Sequence, residues 1–136
     1  MTNENATKGH WKELSVGYDE ALERLPEELK KEGFGVITQI DMRETLKAKI
    51  GVDFRRYRIV GACNPTFAHR ALLEDPRIGL LLPCNFVVYE RDDGKAVVGA
   101  IDPMQTLGEG AVAGPFADIA RDVGARLDRV LAALPA

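Results

Sequence analysis

The side chains best suited to chemistry in this chain are two cysteines, each followed directly by an asparagine. One pair, Cys63-Asn64, stands before Pro65, and the other, Cys84-Asn85, stands after Pro83. A cysteine thiolate is a nucleophile and a metal ligand, and an asparagine amide both donates and accepts hydrogen bonds. The two pairs therefore mark where a site would be, although they do not name a reaction.

The local sequence predicts that Cys63 leaves a strand immediately before a helix begins. Asn64 is a preferred N-cap residue, and Pro65 suits the first helical position. Free amides and the positive end of the helix dipole lie at such a start, and together they lower the pKa of a nearby thiol. His69 and Arg70 follow on the same helix, where either could face an anion held at its start.

Cys84 opens a second predicted strand, which leads into a hairpin turn at Asp92-Asp93-Gly94. If the strands that carry the two cysteines are antiparallel neighbours, the end of one faces the start of the other. Our hypothesis is that the two thiols then lie close together, and a Cβ–Cβ distance beyond disulfide range would remove it. The predicted ligand-binding residues are Cys63, Asn64, His69, Arg70, Cys84 and Asn85.

Two other interpretations of the cysteines stay open. Cysteine is among the most often buried residues, so both thiols could be inert parts of the core. A zinc site using Cys63, Cys84 and His69 has too few ligands and matches no known finger spacing, so we predict no metal and no cofactor. The separation of the cysteines is not a C-x-x-C motif, which leaves a redox role with little support.

Other polar residues carry weaker signals. Asp102 before Pro103 is typical of a turn, although it could be a pocket carboxylate. The run Arg55-Arg56-Tyr57-Arg58 could touch an anion, and a solvated strand edge explains it equally well. His10 lies beside the polar start of the chain and carries no functional prediction.

Composition excludes several classes of partner. The chain of 136 residues has a net charge of −3, a pI of about 5.4 and no basic stripe, so nucleic acid and membranes are poor candidates. Residues 1–9 lack apolar periodicity and the apolar stretch of a secretory signal, so we predict that they are disordered. We expect a cytoplasmic protein with a single domain over residues 10–136, in which reduced thiols are the default.

The order of the predicted elements favours an α+β fold. The strands do not alternate regularly with long helices, and those at 85–90 and 96–101 form a hairpin. Helical patterns begin at Asp19, at Asp41 and near the C-terminus, and Pro26 should kink or divide the first of them. We predict a mainly antiparallel sheet with helices packed on one face.

Several runs of this sequence resemble the DUF302 family, a domain of unknown function. Among them are Gly33-Phe34-Gly35-Val36, Gly61-Ala62-Cys63-Asn64-Pro65 and Gly79-Leu80-Leu81-Leu82-Pro83-Cys84-Asn85. The resemblance runs from about Tyr18 to Leu134. It implies a compact α+β fold with a curved antiparallel sheet, similar to the TATA-binding-protein-like architecture. It also implies cytoplasmic members in bacteria and archaea, and frequent dimers. It implies no settled activity.

Two hypotheses of function follow. In the first, a small-molecule or anionic ligand, or a thiol-dependent reaction, occupies a pocket between Cys63 and Cys84. In the second, the protein is a non-catalytic homodimeric module, with inert cysteines and an apolar contact at residues 78–82. Fast modification of Cys63 by iodoacetamide would favour the first, and protection of both thiols until denaturation would favour the second.

Overall fold

The computed structural model describes residues 9–106 and 114–136 and contains one antiparallel sheet with helices on one side. The strands are β1 (Gly9–Gly17), β2 (Gly35–Asp41), β3 (Tyr57–Cys63), β4 (Cys84–Glu90) and β5 (Lys95–Ile101). The helices are α1 (Tyr18–Lys31), α2 (Met42–Ile50), α3 (Pro65–Glu74), a 3₁₀ helix (Pro76–Leu81), α4 (Pro103–Thr106) and α5 (Pro115–Ala133). The predicted α+β class is confirmed.

The strand order β1-β5-β4-β3-β2 places the first two strands of the chain at opposite edges of the sheet. Helix α1 joins them and crosses the covered face, where it buries Ala21, Leu25 and Leu29 at helical spacing. The helix continues through Pro26, so of the two predicted effects, a kink or a division, the division is wrong. Pro26 is exposed, and water can satisfy a carbonyl that loses its amide partner on that side.

The two faces of the sheet differ because successive side chains in a strand point to opposite sides. On the covered face, Val60, Phe86 and Ala100 lie in register across three strands and are all buried. On the open face, the rings of Tyr57 and Tyr89 stack at 5.7 Å with an interplanar angle of 7°. The core therefore fills only the space between the sheet and the helices.

Short polar signals in the sequence set several boundaries. Asp41 caps α2, because its Oδ1 accepts a hydrogen bond from the Glu44 amide at 3.0 Å. Gly51 ends that helix with a φ of 70°, and Gly94 turns the β4–β5 hairpin with a φ of 85°. The sequence predicts this cap from the capping box Asp41-Met42-Arg43-Glu44, the helix end from Gly51, and the turn from Asp92-Asp93-Gly94, and all three are confirmed. The sequence also predicts a glycine-rich loop at residues 104–116, and its part at 107–113 lies outside the described residues.

The first strand and the last helix are joined by one side chain. The Lys12 Nζ donates to the carbonyl oxygens of Leu131 at 2.9 Å, Ala132 at 3.1 Å and Leu134 at 2.7 Å. These carbonyls lie at the end of α5, where the Leu131 oxygen also accepts from the Leu134 amide at 3.2 Å, and a cation there complements the negative end of the helix dipole. Gly9 already belongs to β1, and the predicted disorder of residues 1–8 concerns residues outside the described ranges.

None of the helices in the described ranges has the length and apolar character needed to cross a membrane.

Candidate functional site

Asn64 acts first as a structural connector. Its Oδ1 accepts from the Phe67 amide at 3.5 Å and caps α3, as predicted. Its Nδ2 donates to the Glu32 carbonyl at 3.4 Å, at the end of α1. The same carbonyl accepts from Arg126 of α5 at 3.1 Å, so three helix segments meet at Glu32. The amide of Asn64 thus has partners on both sides before any ligand is considered.

The predicted meeting of the two thiols is wrong. Strands β3 and β4 are antiparallel neighbours, but the residue opposite Cys84 is Ala62 rather than Cys63. The register therefore offsets the two cysteines by one residue along the strands instead of placing them opposite each other. Both cysteines are free thiols, and they are not near each other.

Asn85 lies on the open face, whereas Cys84 belongs to the covered face. The alternation along β4 buries Phe86 and Val88 on the covered side and leaves Asn85 exposed on the other. Asn85 sits by Gly61, where an added Cβ would clash with Thr38 Oγ1 and lie 3.5 Å from the asparagine Oδ1. The two residues of this Cys-Asn pair therefore cannot serve one pocket.

The space beside the cysteines, which we call the cysteine cavity, measures about 30 Å³. Its lining is almost wholly apolar and includes Phe34, Phe67, Ile119 and Val123 together with both cysteines. A cavity needs roughly 10–15 Å³ to admit one water, while ligand pockets occupy roughly 300–1,000 Å³. The cysteine cavity can hold about one or two water molecules and has no room for a metabolite.

The cavity environment also opposes thiolate formation at Cys84. Burial raises the pKa of the Cys84 thiol to about 11, and a negative charge on Cys63 adds a smaller, longer-range effect. A reactive cysteine needs the opposite shift, toward a thiolate at neutral pH. A ligand or thiol role at this place stays a prediction that the geometry does not favour.

The two charged residues predicted for this site lie on the outer surface of α3. His69 and Arg70 are both exposed. The Arg70 guanidinium lies 5.5 Å from the centre of the Phe67 ring, and Arg126 lies 5.4 Å from the same ring. Within the described ranges, no group of three or more His, Cys, Asp or Glu side chains could hold a metal ion. His69 therefore does not share a site with the cysteines.

A larger space opens elsewhere, between the start of α1, helix α2 and strand β3. This charged cleft has a volume of about 670 Å³, within the range of ligand pockets. Its basic lining residues are Arg43, Lys47, Arg56 and Arg58. Its acidic lining residues are Asp19, Asp41, Glu44 and Asp53. The sequence signal for it is the arginine run at 55–58, which does not indicate the partners that α1 and α2 bring to it.

The deep part of the charged cleft is held by a hydrogen-bonded frame. Arg58 donates to Gln39 Oε1 at 3.0 Å and to Asp41 Oδ2 at 3.4 Å. Arg56 donates to both carboxylate oxygens of Asp19 at 3.1 Å and lies 4.8 Å from the centre of the Tyr18 ring. These contacts fix the two guanidinium groups, which reduces the entropy lost when a ligand binds them.

Tyr18 lies at the bottom of the charged cleft, with 4% of its surface exposed. Burial raises the pKa of its phenol, while the nearby Arg58 guanidinium partly opposes that shift. The phenol therefore keeps its proton at neutral pH and can donate a hydrogen bond.

The comparisons with known proteins agree with this fold. The family model "Domain of unknown function DUF302" matches residues 10–134, nearly the whole chain. This chain belongs to the DUF302 family. A crystal structure of an uncharacterized conserved DUF302 protein from Bacillus stearothermophilus is 37% identical, with a TM-score of 0.82. The match covers 92% of this chain and 96% of that one. No match was found among curated proteins.

One polar pair of this DUF302 protein was missed at the sequence level. His10 Nε2 and Asp102 Oδ2 lie 3.0 Å apart and border a cleft of about 380 Å³. Asp102 also accepts from the Met104 amide at 2.9 Å, which confirms its predicted role in a turn. The pair could not be read from the sequence, because β1 and β5 become neighbours only in the folded sheet.

Proposed function

We propose that this DUF302 protein is a non-catalytic interaction module that pairs with a second copy of itself. The surface that carries the proposal lies along β2, α2 and the segment that follows, and we call it the β2–α2 edge. Its exposed apolar side chains are Ile37 at 60%, Ile40 at 45%, Ile50 at 67%, Val52 at 42% and Phe54 at 42%. Several large apolar side chains exposed along one edge of a protein are typical of an interface.

The observation that carries the proposal is a regular helix with no buried residue. None of the residues of α2 (Met42–Ile50) is buried, although the helix has a side-chain cap at Asp41 and ends at Gly51 in the left-handed conformation. A helix of this length in water depends on packing of an apolar face for its stability. A partner that covers Ile50 and its neighbours supplies the missing burial.

Strand β2 favours a second copy as that partner. It is an edge strand, and its sequence Gly35–Asp41 contains no proline and no charge before Asp41. Antiparallel pairing of two β2 strands around Thr38 would set Gly35 opposite Asp41, so no like charges would face each other. The edge is therefore self-complementary in both hydrogen bonding and charge.

The size of the surface fits a dimer. Five large apolar side chains, each about half exposed, offer on the order of 400–500 Å², against about 800 Å² per partner in a standard interface. The backbone groups of the β2 edge and the flanking polar residues would contribute much of the remainder.

A second apolar surface competes with the β2–α2 edge. The contact predicted at residues 78–82 contains Ile78, which is buried, and Leu80, which is 91% exposed. Leu73 of α3 is also 72% exposed. This surface lacks an open strand edge, so it offers side-chain contacts without the backbone pairing available at β2.

The oligomeric state of charge-bearing variants tests the proposal. We expect the protein to sediment as a dimer at micromolar concentration, and Ile37→Lys to convert it to a monomer, because an edge lysine blocks strand pairing. Leu80→Lys is the matched control, since it places the same charge on an exposed apolar position, and it should stay dimeric. Analytical ultracentrifugation measures both. A monomeric parent protein, or dissociation by Leu80→Lys alone, would contradict the proposal.

A further inference from the structure

The open face of the sheet carries an apolar row that crosses all five strands. Its members lie directly opposite one another in the strand pairings, and they are Trp11 on β1, Gly99 on β5, Val87 on β4, Ile59 on β3 and Ile40 on β2. The helices of the described ranges lie on the other side of the sheet and do not cover this row. An antiparallel sheet that faces water normally presents polar side chains on that face. An apolar row in that position indicates a partner.

Contacts between aromatic rings order the open face. The Trp11 indole lies over Gly99, where an added Cβ would clash with the ring. The same indole meets Tyr89 edge to face, with the ring centres 6.4 Å apart, and Tyr89 stacks on Tyr57. Aromatic pairs of this geometry stabilise each other beyond the area that they bury. Side chains that are already ordered lose less entropy when a partner covers them.

The charges beside the row occur in pairs of opposite sign. Glu13 and Arg91 form an ion pair at 2.8 Å, and Arg55 and Asp92 form another at 3.6 Å. The Arg55 guanidinium also lies 6.0 Å from the centre of the Tyr89 ring. These four groups add no net charge, so they would not repel a second copy of the same face. The electrostatics of the open face are therefore compatible with self-association.

The open face of one chain is smaller than a standard interface. Neighbouring strands lie about 4.8 Å apart and rise about 3.3 Å per residue, so five strands of about seven residues outline roughly 500 Å². A standard interface buries about 800 Å² per partner. Ile59 and Val87 are also half-buried in the single chain, so covering them removes less apolar surface than the outline suggests. One open face is therefore too small for a stable pair of chains.

Pairing at the β2–α2 edge doubles the open face. Two β2 strands that pair antiparallel are related by a two-fold axis perpendicular to the sheet, so both copies turn their open faces to the same side. The paired chains, which we call the edge dimer, then share one continuous sheet with an open face of roughly 1,000 Å². The apolar row reaches Ile40 on β2, the strand at the seam between the copies. The edge dimer therefore has the area that one chain lacks.

We propose that two edge dimers pack with their open faces against each other and form a tetramer. This inference rests on the proposed pairing at the β2–α2 edge. The two sheets lie about 10 Å apart, and the helices of all copies lie on the outside. The contact consists of side chains and lacks the backbone hydrogen bonds of the edge. The tetramer therefore forms at higher concentration than the edge dimer.

Sedimentation velocity over a concentration series from about 5 µM to about 500 µM tests the proposal. We expect dimers at the low end of the series and tetramers at the high end. Trp11 is the single tryptophan of the chain and lies on β1, at the opposite edge of the sheet from β2. Its fluorescence emission should therefore shift to shorter wavelength as tetramers form, and should not respond to pairing at the β2 edge.

Two lysine variants locate the contact. Val87→Lys places a charge in the centre of the apolar row, and it should weaken the association of dimers into tetramers at least about tenfold while leaving the edge dimer intact. Leu80→Lys is the matched control, because it places the same charge on an exposed apolar position of the 3₁₀ helix, and it should form tetramers normally. The emission of Trp11 is measured on the parent protein, so it decides the question even if Val87→Lys fails to fold.

Failure of this inference and failure of the edge dimer give different results. A parent protein that stays dimeric at the highest concentration, with a constant Trp11 emission, would overturn the tetramer and leave the edge dimer standing. Tetramers that form equally well in Val87→Lys would exclude the open face as their contact. A monomeric parent protein, or a dimer that survives Ile37→Lys, would overturn the edge dimer and the tetramer with it.

Discussion

The cysteine cavity and the charged cleft are both covered by helices on the same side of the sheet, and they differ in every property that binding requires. The first is apolar and holds about 30 Å³, and the second is charged and holds about 670 Å³. At the cysteines, α3 and α5 close against the sheet and fill the space with side chains such as Phe34 and Ile119. At Tyr18, α1 only begins and α2 buries none of its residues. Open space therefore occurs where the helical layer is incomplete, away from the cysteine motifs.

The largest expected contrast between the two regions is in stability. Phe34→Ala should lower the free energy of unfolding by about 3–5 kcal/mol, because Phe34 is buried in the wall of the cysteine cavity. Val52→Ala in the charged cleft should change it by less than about 0.5 kcal/mol, since Val52 is 42% exposed. Urea denaturation measures both. Similar losses in the two variants would remove the distinction between a packed wall and an open one.

A second contrast concerns pH. The pKa of Cys84 is about 11 in the folded protein, against an ordinary value of 9.0. The folded state holds the Cys84 proton more tightly than the unfolded state does. The resulting stabilisation of the folded state is fully present below about pH 9 and is lost as the pH rises toward 11. Between about pH 8 and pH 10.5, the unfolding free energy should fall by about 2 kcal/mol through Cys84 alone.

The Cys84→Ala variant isolates this effect. Burial also raises the pKa of the Tyr18 and Tyr57 phenols, which titrate in the same alkaline range in both proteins. The quantity to compare is therefore the unfolding free energy of the parent protein minus that of Cys84→Ala. This difference should decrease by about 2 kcal/mol as the pH rises. Curves that run parallel from neutral to alkaline pH would show that Cys84 is accessible to water.

The smallest expected effect lies among the charges of the cleft. Arg56 forms ion pairs with Asp19 at 3.1 Å and Glu90 at 2.6 Å, and about a third of its side chain is exposed. Arg56→Gln should cost about 1 kcal/mol in low salt and less in high salt, because exposed ion pairs are weak and screened. Arg43→Gln is the control and should show no salt-dependent change. Equal salt dependence in both variants would contradict the pairing.

The sequence predicted the parts of the fold that depend on short-range chemistry. Asp41 and Asn64 were identified as helix caps, and Asp92-Asp93-Gly94 as a hairpin turn, because each needs only neighbouring residues. The sequence left open whether the strands that carry the cysteines are neighbours, and the structure shows that they are. It could not give their register, which sets Cys84 opposite Ala62 rather than opposite Cys63.

The charged cleft could not be predicted for a different reason. Its residues come from the start of α1, from α2, from the segment after it and from β3. They meet because α1 crosses the sheet from one edge to the other, and no local sequence pattern predicts that crossing. The run Arg55-Arg56-Tyr57-Arg58 did indicate a charged region. In the structure, Arg56 and Arg58 line the cleft, whereas Tyr57 stacks on Tyr89 on the open face of the sheet.

The pairing of β1 with β5 can form only after β5 has been synthesised. Among the described strands β1 pairs only with β5, so its backbone groups wait for hydrogen-bond partners until residues 95–101 have been made. Contacts between such distant segments slow folding and leave the unpaired strand unprotected in the meantime. A nascent chain halted before β5 should therefore be the form of this protein that most needs a chaperone.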